Sequence, residues 1–351
     1  MVIPVMTGPK KNVLHRILGW GLAAAASFAP LSAAQASELT NVESAFDRTF
    51  GTELRAPRTY DSAFERRIAQ LADAAKGRIG VAAIDLSSGR SINVLGDQPF
   101  PMASTSKIAI VATYLEGVDR GRWSLSDKYP LMVPVPSKKF DGPIAPVRPG
   151  RMLSAQSLIE LTITRSDNQA TDALLAAVGG PRAVNDWVRR AGIAEWSINR
   201  DIATLVRDDG AIDPAAAIET RDAATPRAMV QMLSGIYQGK WLSAQSRSVL
   251  LGAMERCVTG RRRIPAQMPD DAIVAHKTGS LFNTSSDVGI ISTPDGRAVA
   301  LAIYVTGQGT RLNREHRIAS IARAIYDGYR DIHMAEGKAR ASGGYARTAS
   351  R

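Results

Sequence analysis

Ser104 and Lys107 lie three residues apart in Pro101-Met102-Ala103-Ser104-Thr105-Ser106-Lys107, directly before the apolar run Ile108-Ala109-Ile110-Val111-Ala112. The pattern reads as a helix start. It places Ser104 at the positive end of the helix dipole, beside unpaired backbone N–H groups, with Lys107 one turn on and on the same face. A lysine drawn into a cleft near other cations has its pKa lowered toward about 7 to 8, where a neutral fraction can take a serine proton. The chemistry on offer is covalent catalysis by Ser104 with Lys107 as base, although a lone Ser-x-x-Lys equally describes a capping serine and a solvated lysine. Histidine offers little competition. Of His15, His276, His316 and His333 none sits in a triad-like context, and His276 reads as a strand residue at a cleft edge rather than a base. No His-x-x-x-His or paired-cysteine spacing occurs, so neither a metal nor a cofactor is expected.

Two further triplets give the pair its meaning. Ser166-Asp167-Asn168 falls between two helical segments. Ser166 can relay a proton to a leaving nitrogen, while the Asn168 amide can orient both Lys107 and a substrate amide. Lys277-Thr278-Gly279-Ser280 closes a strand from Ile273. A glycine there lets a substrate lie against the backbone as an added strand, Lys277 adds positive potential, and Thr278 and Ser280 can donate to a carboxylate. The backbone N–H groups of Ser104 and Ser280 then suit an oxyanion hole.

Taken in this order, the three motifs resemble the active site of class A β-lactamases and of the wider penicillin-binding-protein superfamily. Gly179-Gly180-Pro181, Arg221 to Met229, Thr259-Gly260 before Arg263-Ile264, and Val274-Ala275-His276 extend the likeness over about Tyr60 to His333. The resemblance implies an acyl-serine hydrolase that opens the amide of a β-lactam or of a peptidoglycan-like peptide. Ser104, Lys107, Ser166 and Lys277 would be catalytic, and Asn168, Thr278, Gly279 and Ser280 would bind substrate. Such enzymes carry a loop pinned by an arginine and an aspartate, here Arg200 and Asp222, with a deacylating glutamate on it. This sequence departs there: Arg-x-Glu-x-x-Leu-Asn is replaced by Arg200-Asp201-Ile202-Ala203-Thr204-Leu205-Val206, with Ile202 at the glutamate position. Asp201, Asp208, Asp209, Asp213 and Glu219 are the loop acids that a different path could bring in. Loss of the base slows hydrolysis of the acyl-enzyme by roughly 10² to 10⁴ and spares its formation. The rival readings are a cell-wall DD-peptidase or amidase, a sensor that holds a β-lactam without turnover, and a catalytically retired domain. Arg311 and Arg314, near the start of the last helix, are candidates to bind a substrate carboxylate, but both read as helix-surface arginines.

The elements that must position these residues follow from patterning. A helical face over Ala63 to Ala75 precedes a hairpin of strands, Arg78 to Leu86 and Ser91 to Leu95. Helices near Ser104 to Arg120, Ala155 to Ile163, Ala170 to Val178, Pro181 to Ala191 and Pro226 to Gln238 form a long block. Strand character returns from Ala272, through Ser286 to Ser292 and Ala298 to Val305, before a final helix at about Arg314 to His333. The expected fold is α+β, of the β-lactamase/transpeptidase-like type. An α/β lobe with an antiparallel sheet takes residues 59–100 and 239–335, a helical lobe takes 101–238, and the site lies between them.

The ends read differently. Lys10, Lys11 and Arg16 precede the apolar stretch Ile17 to Leu31 and the small-residue run Ala33-Ala34-Gln35-Ala36, which predicts a signal peptide over 1–36, export to the periplasm and no stable membrane anchor. A polar leader over 37–58 and a disordered basic tail over 336–351 flank the catalytic domain, which is expected to act as a monomer. Formal charge is +11, and the three cations of the leading segment leave +8 behind them. That favours anionic envelope polymers; the dispersed basic residues argue against nucleic acid. The single cysteine, Cys257, excludes an internal disulfide and, with no histidine next to it in sequence, reads as a small buried core residue.

Overall fold

A computed structural model describes residues 60–139 and 141–348, with side chains to residue 337. The expected signal peptide and leader lie outside the described residues.

Strands β1 (Ile79–Asp85), β2 (Ser91–Val94), β8 (Ile273–Leu281), β9 (Thr284–Ser292) and β10 (Ala298–Thr306) build one antiparallel sheet in the order β2-β1-β10-β9-β8. The first and last parts of the chain meet where β1 pairs with β10, from Ile79 opposite Val305 to Asp85 opposite Val299. Strand β10 is buried along its whole length, so Ala-Val-Ala-Leu-Ala-Ile-Tyr-Val-Thr shows no polar alternation. Helix α1 (Ala63–Leu71) opens on a capping box between Ser62 and Glu65 and packs against α9 (Arg311–Thr348), which covers β9 and β10.

The helical lobe is organised around α2 (Lys107–Asp119). Its residues Lys107 to Gly117 are all buried, as expected of a helix that is apolar all round. Helices α3 (Ala155–Thr164), α4 (Asn168–Val178) and α5 (Gly180–Arg190) surround it. Gly179 ends α4 at φ +102, a left-handed turn that starts α5 at once. Trp187, 1% exposed, crosses Trp241 edge to face at 5.9 Å between ring centroids.

Several boundaries differ from the sequence reading. Helix α7 (Pro226–Tyr237) was expected in the helical lobe but packs on β1 and β10, because Met229, Val230, Met232, Leu233 and Ile236 turn toward the sheet. Helix α8 (Ala244–Glu255) belongs to neither lobe alone: it touches β8 as well as α2 and α3. A hairpin of β4 (Lys128–Pro134) and β5 (Val147–Ser154) interrupts the block read as helical. Its strands are only half-buried and carry prolines, which weakens their alternation. Helix α9 runs on to Thr348, so the backbone of residues 336–348 is helical where composition suggested a disordered tail. Alanine, lysine and arginine propagate a helix once packing has nucleated it.

Because Trp187 fills the centre of the helical lobe, Trp187→Ala is expected to cost about 3 to 5 kcal/mol. Urea unfolding followed by circular dichroism should show the lowered midpoint.

Candidate active site

Ser104 sits on a tight 3-10 turn, Ala103–Ser106, that feeds straight into α2. Side-chain hydroxyls tie the turn to itself: Thr105 Oγ1 donates to the Met102 carbonyl at 2.8 Å and Ser106 Oγ to the Ala103 carbonyl at 2.9 Å. The Lys107 N–H donates back to the Ser104 and Thr105 carbonyls. Ala103 takes φ +48, a strained conformation for a residue with a Cβ, and such strain persists only where the surroundings enforce it.

Lys107 is fully buried, and its ammonium group donates to Asn168 Oδ1 at 2.7 Å, the Ser166 carbonyl at 2.8 Å and Ser166 Oγ at 3.3 Å. Lys277, also fully buried, reaches the same Ser166 Oγ at 2.9 Å and the Thr278 carbonyl at 2.9 Å. One hydroxyl thus receives both amines. Burial holds the Lys107 pKa well below its ordinary value, and the neighbouring Lys277 charge lowers it further. Burial likewise brings Lys277 down to about 8. Ser166 is held at φ +59 on the turn before α4, whose N-cap is Asp167, accepting from the Ala170 N–H at 2.8 Å. Asp167 thus caps the helix while its neighbour Ser166 meets both lysines.

The end of β8 presses onto the nucleophile turn. A Cβ on Gly279 would stand 2.6 Å from the Met102 carbonyl oxygen and 2.4 Å from Ser286 Oγ, so only glycine permits the approach. Thr278 Oγ1 shares a hydrogen bond with Thr259 Oγ1 at 2.7 Å, and exposed Ser280 accepts from Arg263 at 2.7 Å. Arg263 is 1% exposed and also donates to the Gly279 and Ser286 carbonyls at 2.8 and 2.7 Å. Its charge behind Ser280 is partly offset by Glu315, with which it is ion-paired at 3.2 Å. Arg311 and Arg314 were both expected on the helix surface. Arg311 is on the surface, paired with Glu315 at 3.0 Å. Arg314 is buried instead, donating to Ser285 Oγ, Asn283 Oδ1 and the Gly307 and Gly309 carbonyls.

Arg200 and Asp222 meet, with Arg200 Nε donating to Asp222 Oδ2 at 2.6 Å. The Asp222 carbonyl accepts from the Met102 N–H at 3.0 Å, so the pin also anchors the nucleophile turn. Each of the five loop acids is hydrogen-bonded or ion-paired. Asp201 caps the short helix α6 (Ile202–Arg207), accepting from the Thr204 N–H. Asp208 pairs with Arg200 and Arg207; Asp209 accepts from the Phe282 N–H; Asp213 binds Asn283; and Glu219 pairs with Arg221 and Arg200. Ile202 is buried at the first position of α6.

The acid that sequence reading missed is Asp172, one turn beyond Asn168 on α4. Its two oxygens accept from the Ile202 and Ala203 N–H groups at 2.7 and 2.9 Å. Burial, only partly offset by those two bonds and by the Lys107 charge, raises its pKa to about 7. The (i, i+4) spacing from Asn168 was the available signal. His276 is 2% exposed and bonds Asp287 through Nδ1 at 2.9 Å, while Cys257, expected in the core, is only partly buried and lies beside that imidazole. No cluster of three or more ligating side chains suited to a metal occurs among the described residues.

These charges fix a pH profile. Labelling of Ser104 by an activated ester should fall at acid pH, where Lys107 regains its proton, and fall again above about 8, where Lys277 loses its own. Asp172→Asn removes a negative charge that favours the Lys107 ammonium, so the acid limb should move to lower pH. An unmoved limb would contradict the coupling.

The beta-lactamase enzyme family model matches residues 63–329. The chain is 30% identical to beta-lactamase CTX-M-25 of Escherichia coli over 269 residues, 76% of this chain and 89% of that protein. A beta-lactamase structure from Chitinophaga pinensis is 28% identical, with a TM-score of 0.67 over 76% of this chain and all of its own. A substituted form of PBP-A, an acyl-enzyme complex with penicillin G, is 28% identical with a TM-score of 0.65, over 76% of this chain and 96% of its own. With the fold, the three motifs and the family match in agreement over nearly the whole described chain, this protein belongs to the beta-lactamase enzyme family.

Proposed function

We propose that the protein is an exported serine hydrolase that forms an acyl-enzyme with β-lactams at Ser104 and hydrolyses their amide, with deacylation the slow step. The observation that carries the reading is the single Ser166 hydroxyl held by Lys107 at 3.3 Å and Lys277 at 2.9 Å. Lys107, its pKa lowered by burial, takes the Ser104 proton. Ser104 Oγ attacks the carbonyl, and the backbone N–H groups of Ser104 and Ser280 receive the developing oxyanion. Ser166, whose oxygen accepts from both lysines, keeps its own proton to give to the leaving nitrogen. Asn168 holds Lys107 in place and is exposed enough to meet the substrate amide. Thr278, Ser280 and the charge of Arg263 suit a substrate carboxylate.

Release of the acyl group lacks this provision. Buried Ile202 stands where a glutamate would activate water, and the five loop acids are bound elsewhere. Ile202 also favours a second reading, a cell-wall DD-peptidase or amidase. The apolar stretch and the Ala-Gln-Ala sequence before residue 37 support export to the periplasm; no helix among the described residues is long and apolar enough to cross a membrane.

Mixing the protein with a chromogenic cephalosporin should give a burst of one equivalent, then slow turnover, with the acyl adduct visible by intact mass. Ser104→Ala should abolish both. A permanent adduct would mark a sensor rather than a hydrolase. No adduct, together with release of D-alanine from a peptidoglycan-like peptide, would establish the peptidase instead.

A further inference from the structure

Beside the Ser104 turn, the loop that runs from α6 to Asp222 covers a cavity of about 50 Å³. That volume holds a few waters or a group of similar size, so it takes the head of a small molecule rather than a whole one. Pro101 and Asp222 line it, together with Leu281, Phe282 and Thr284 of the β8–β9 hairpin. Phe282 and Ile212 are 52% and 39% exposed and so stand at its mouth.

Two polar groups in this wall are left without the partner that their chemistry calls for. Asp208, Glu219 and Asp222 also line the cavity, and each is ion-paired with Arg200. Asp209 accepts from the Phe282 N–H at 2.7 Å through Oδ1, but forms no ion pair among the described residues. Thr284 is 1% exposed, and its hydroxyl finds no hydrogen-bond partner among them either. Two residues along β9, Ser286 Oγ lies against the Gly279 position under the Ser104 turn, and strand alternation turns Thr284 to that same side, toward Pro101. Burying a hydroxyl unpaired is costly, so its place in this wall points to a group that pairs with it.

We propose that the cavity is a binding site for a small organic cation, an ammonium or amidinium on a short apolar body, whose N–H groups meet Asp209 and Thr284. The four carboxylates in the wall turn an anion away. A purely apolar group would leave both Asp209 and Thr284 as they are, and no cluster of three or more ligating side chains suited to a metal occurs among the described residues. The head enters the cavity, while the apolar body rests on Phe282 and Ile212 at the mouth. Lys139 Nζ comes to 3.6 Å from where a Cβ on Gly210 would stand, so a bound cation displaces a flexible ammonium from that rim. Because the Asp222 carbonyl holds the Met102 N–H, the occupant sits next to the support of the Ser104 turn without entering the cleft. The site does not depend on the reaction assigned to Ser104, so a protein inert to β-lactams would test it equally well.

Benzamidine is the probe, with benzoate and benzyl alcohol as controls of similar size. Calorimetric titration of the full chain should show saturable binding of benzamidine, which also raises Tm, and binding of either control at least about tenfold weaker. Asp209→Asn keeps an acceptor for the Phe282 N–H but loses the charge, and should weaken benzamidine by about tenfold. Thr284→Val should weaken it several-fold. The same variant reads the hydroxyl without any ligand: replacing a buried, unpartnered oxygen by carbon should leave Tm unchanged or higher. A lower Tm would show the hydroxyl to be satisfied already and would overturn the site. So would a control that binds as well as benzamidine, absence of saturable binding, or an affinity unchanged in both variants. Should Asp209→Asn fail to fold, Ile212→Arg at the exposed mouth places a guanidinium next to Asp209 and should abolish benzamidine binding; undiminished binding there overturns the proposal as well.

Discussion

Two lysines converge on one hydroxyl, and the rest of the structure is arranged around making that tolerable. Two ammonium groups out of water, a few ångströms apart, would each cost several kcal/mol in desolvation and would repel one another. Burial and mutual repulsion disfavour both charges, and Lys107, although Asp172 and Asp167 support its charge, is held well below its ordinary pKa. The same frustration that makes the pair hard to bury weakens the hold of the Lys107 amine on its proton. Asp172 sets how far this goes, because its buried carboxylate lies near Lys107 while its oxygens are held by the amides that begin α6.

Holding such a site needs rigid neighbours. The Ser104 turn is held by the buried start of α2, by β8 at a contact that admits no Cβ on Gly279, and by the Asp222 carbonyl. The two residues with side chains held at positive φ here, Ala103 and Ser166, carry strain of order 1–3 kcal/mol each that the packing of the lobes sustains. Tyr304, stacked on Phe100 with ring centroids 5.7 Å apart, brings its hydroxyl to 3.4 Å from Thr105 Oγ1 and so ties the central strand of the sheet to the same turn.

Much of this was legible before any coordinates. The α+β class, the five strands of the main sheet and the helices that carry Lys107 and Asn168 follow from periodicity. Convergence on the site of Lys107, Ser166, Asn168 and Lys277, far apart in sequence, came from three motifs in order rather than from any one of them. What stayed hidden has a common cause. His276 and Asp287 lie on different strands, so nothing local revealed that the pairing of β8 with β9 brings the imidazole onto that carboxylate. Asp172 looked like any helix residue until the loop amides came down on it. The β4–β5 hairpin was masked by prolines and half-exposed strands, and α7 could be assigned to its lobe only by knowing which way Met229 and Leu233 face. The loop acids misled for the opposite reason: their number suggested a replacement base, but each was needed to hold the loop or its neighbours.

The pairing of β1 with β10 has a consequence for how the molecule comes into being. The N-terminal hairpin finds its partner strand more than two hundred residues downstream, across the entire helical lobe. Contacts of such long range form late, since loop-closure entropy must be overcome first. Until β10 arrives, β1 offers a bare edge on a strand of Ile79, Val81 and Ala83, the kind of edge that recruits foreign strands. A chain that stops short of β10 therefore lacks more than one strand: it is an open sheet with an adhesive rim, and its fate is aggregation or proteolysis rather than a weakened enzyme.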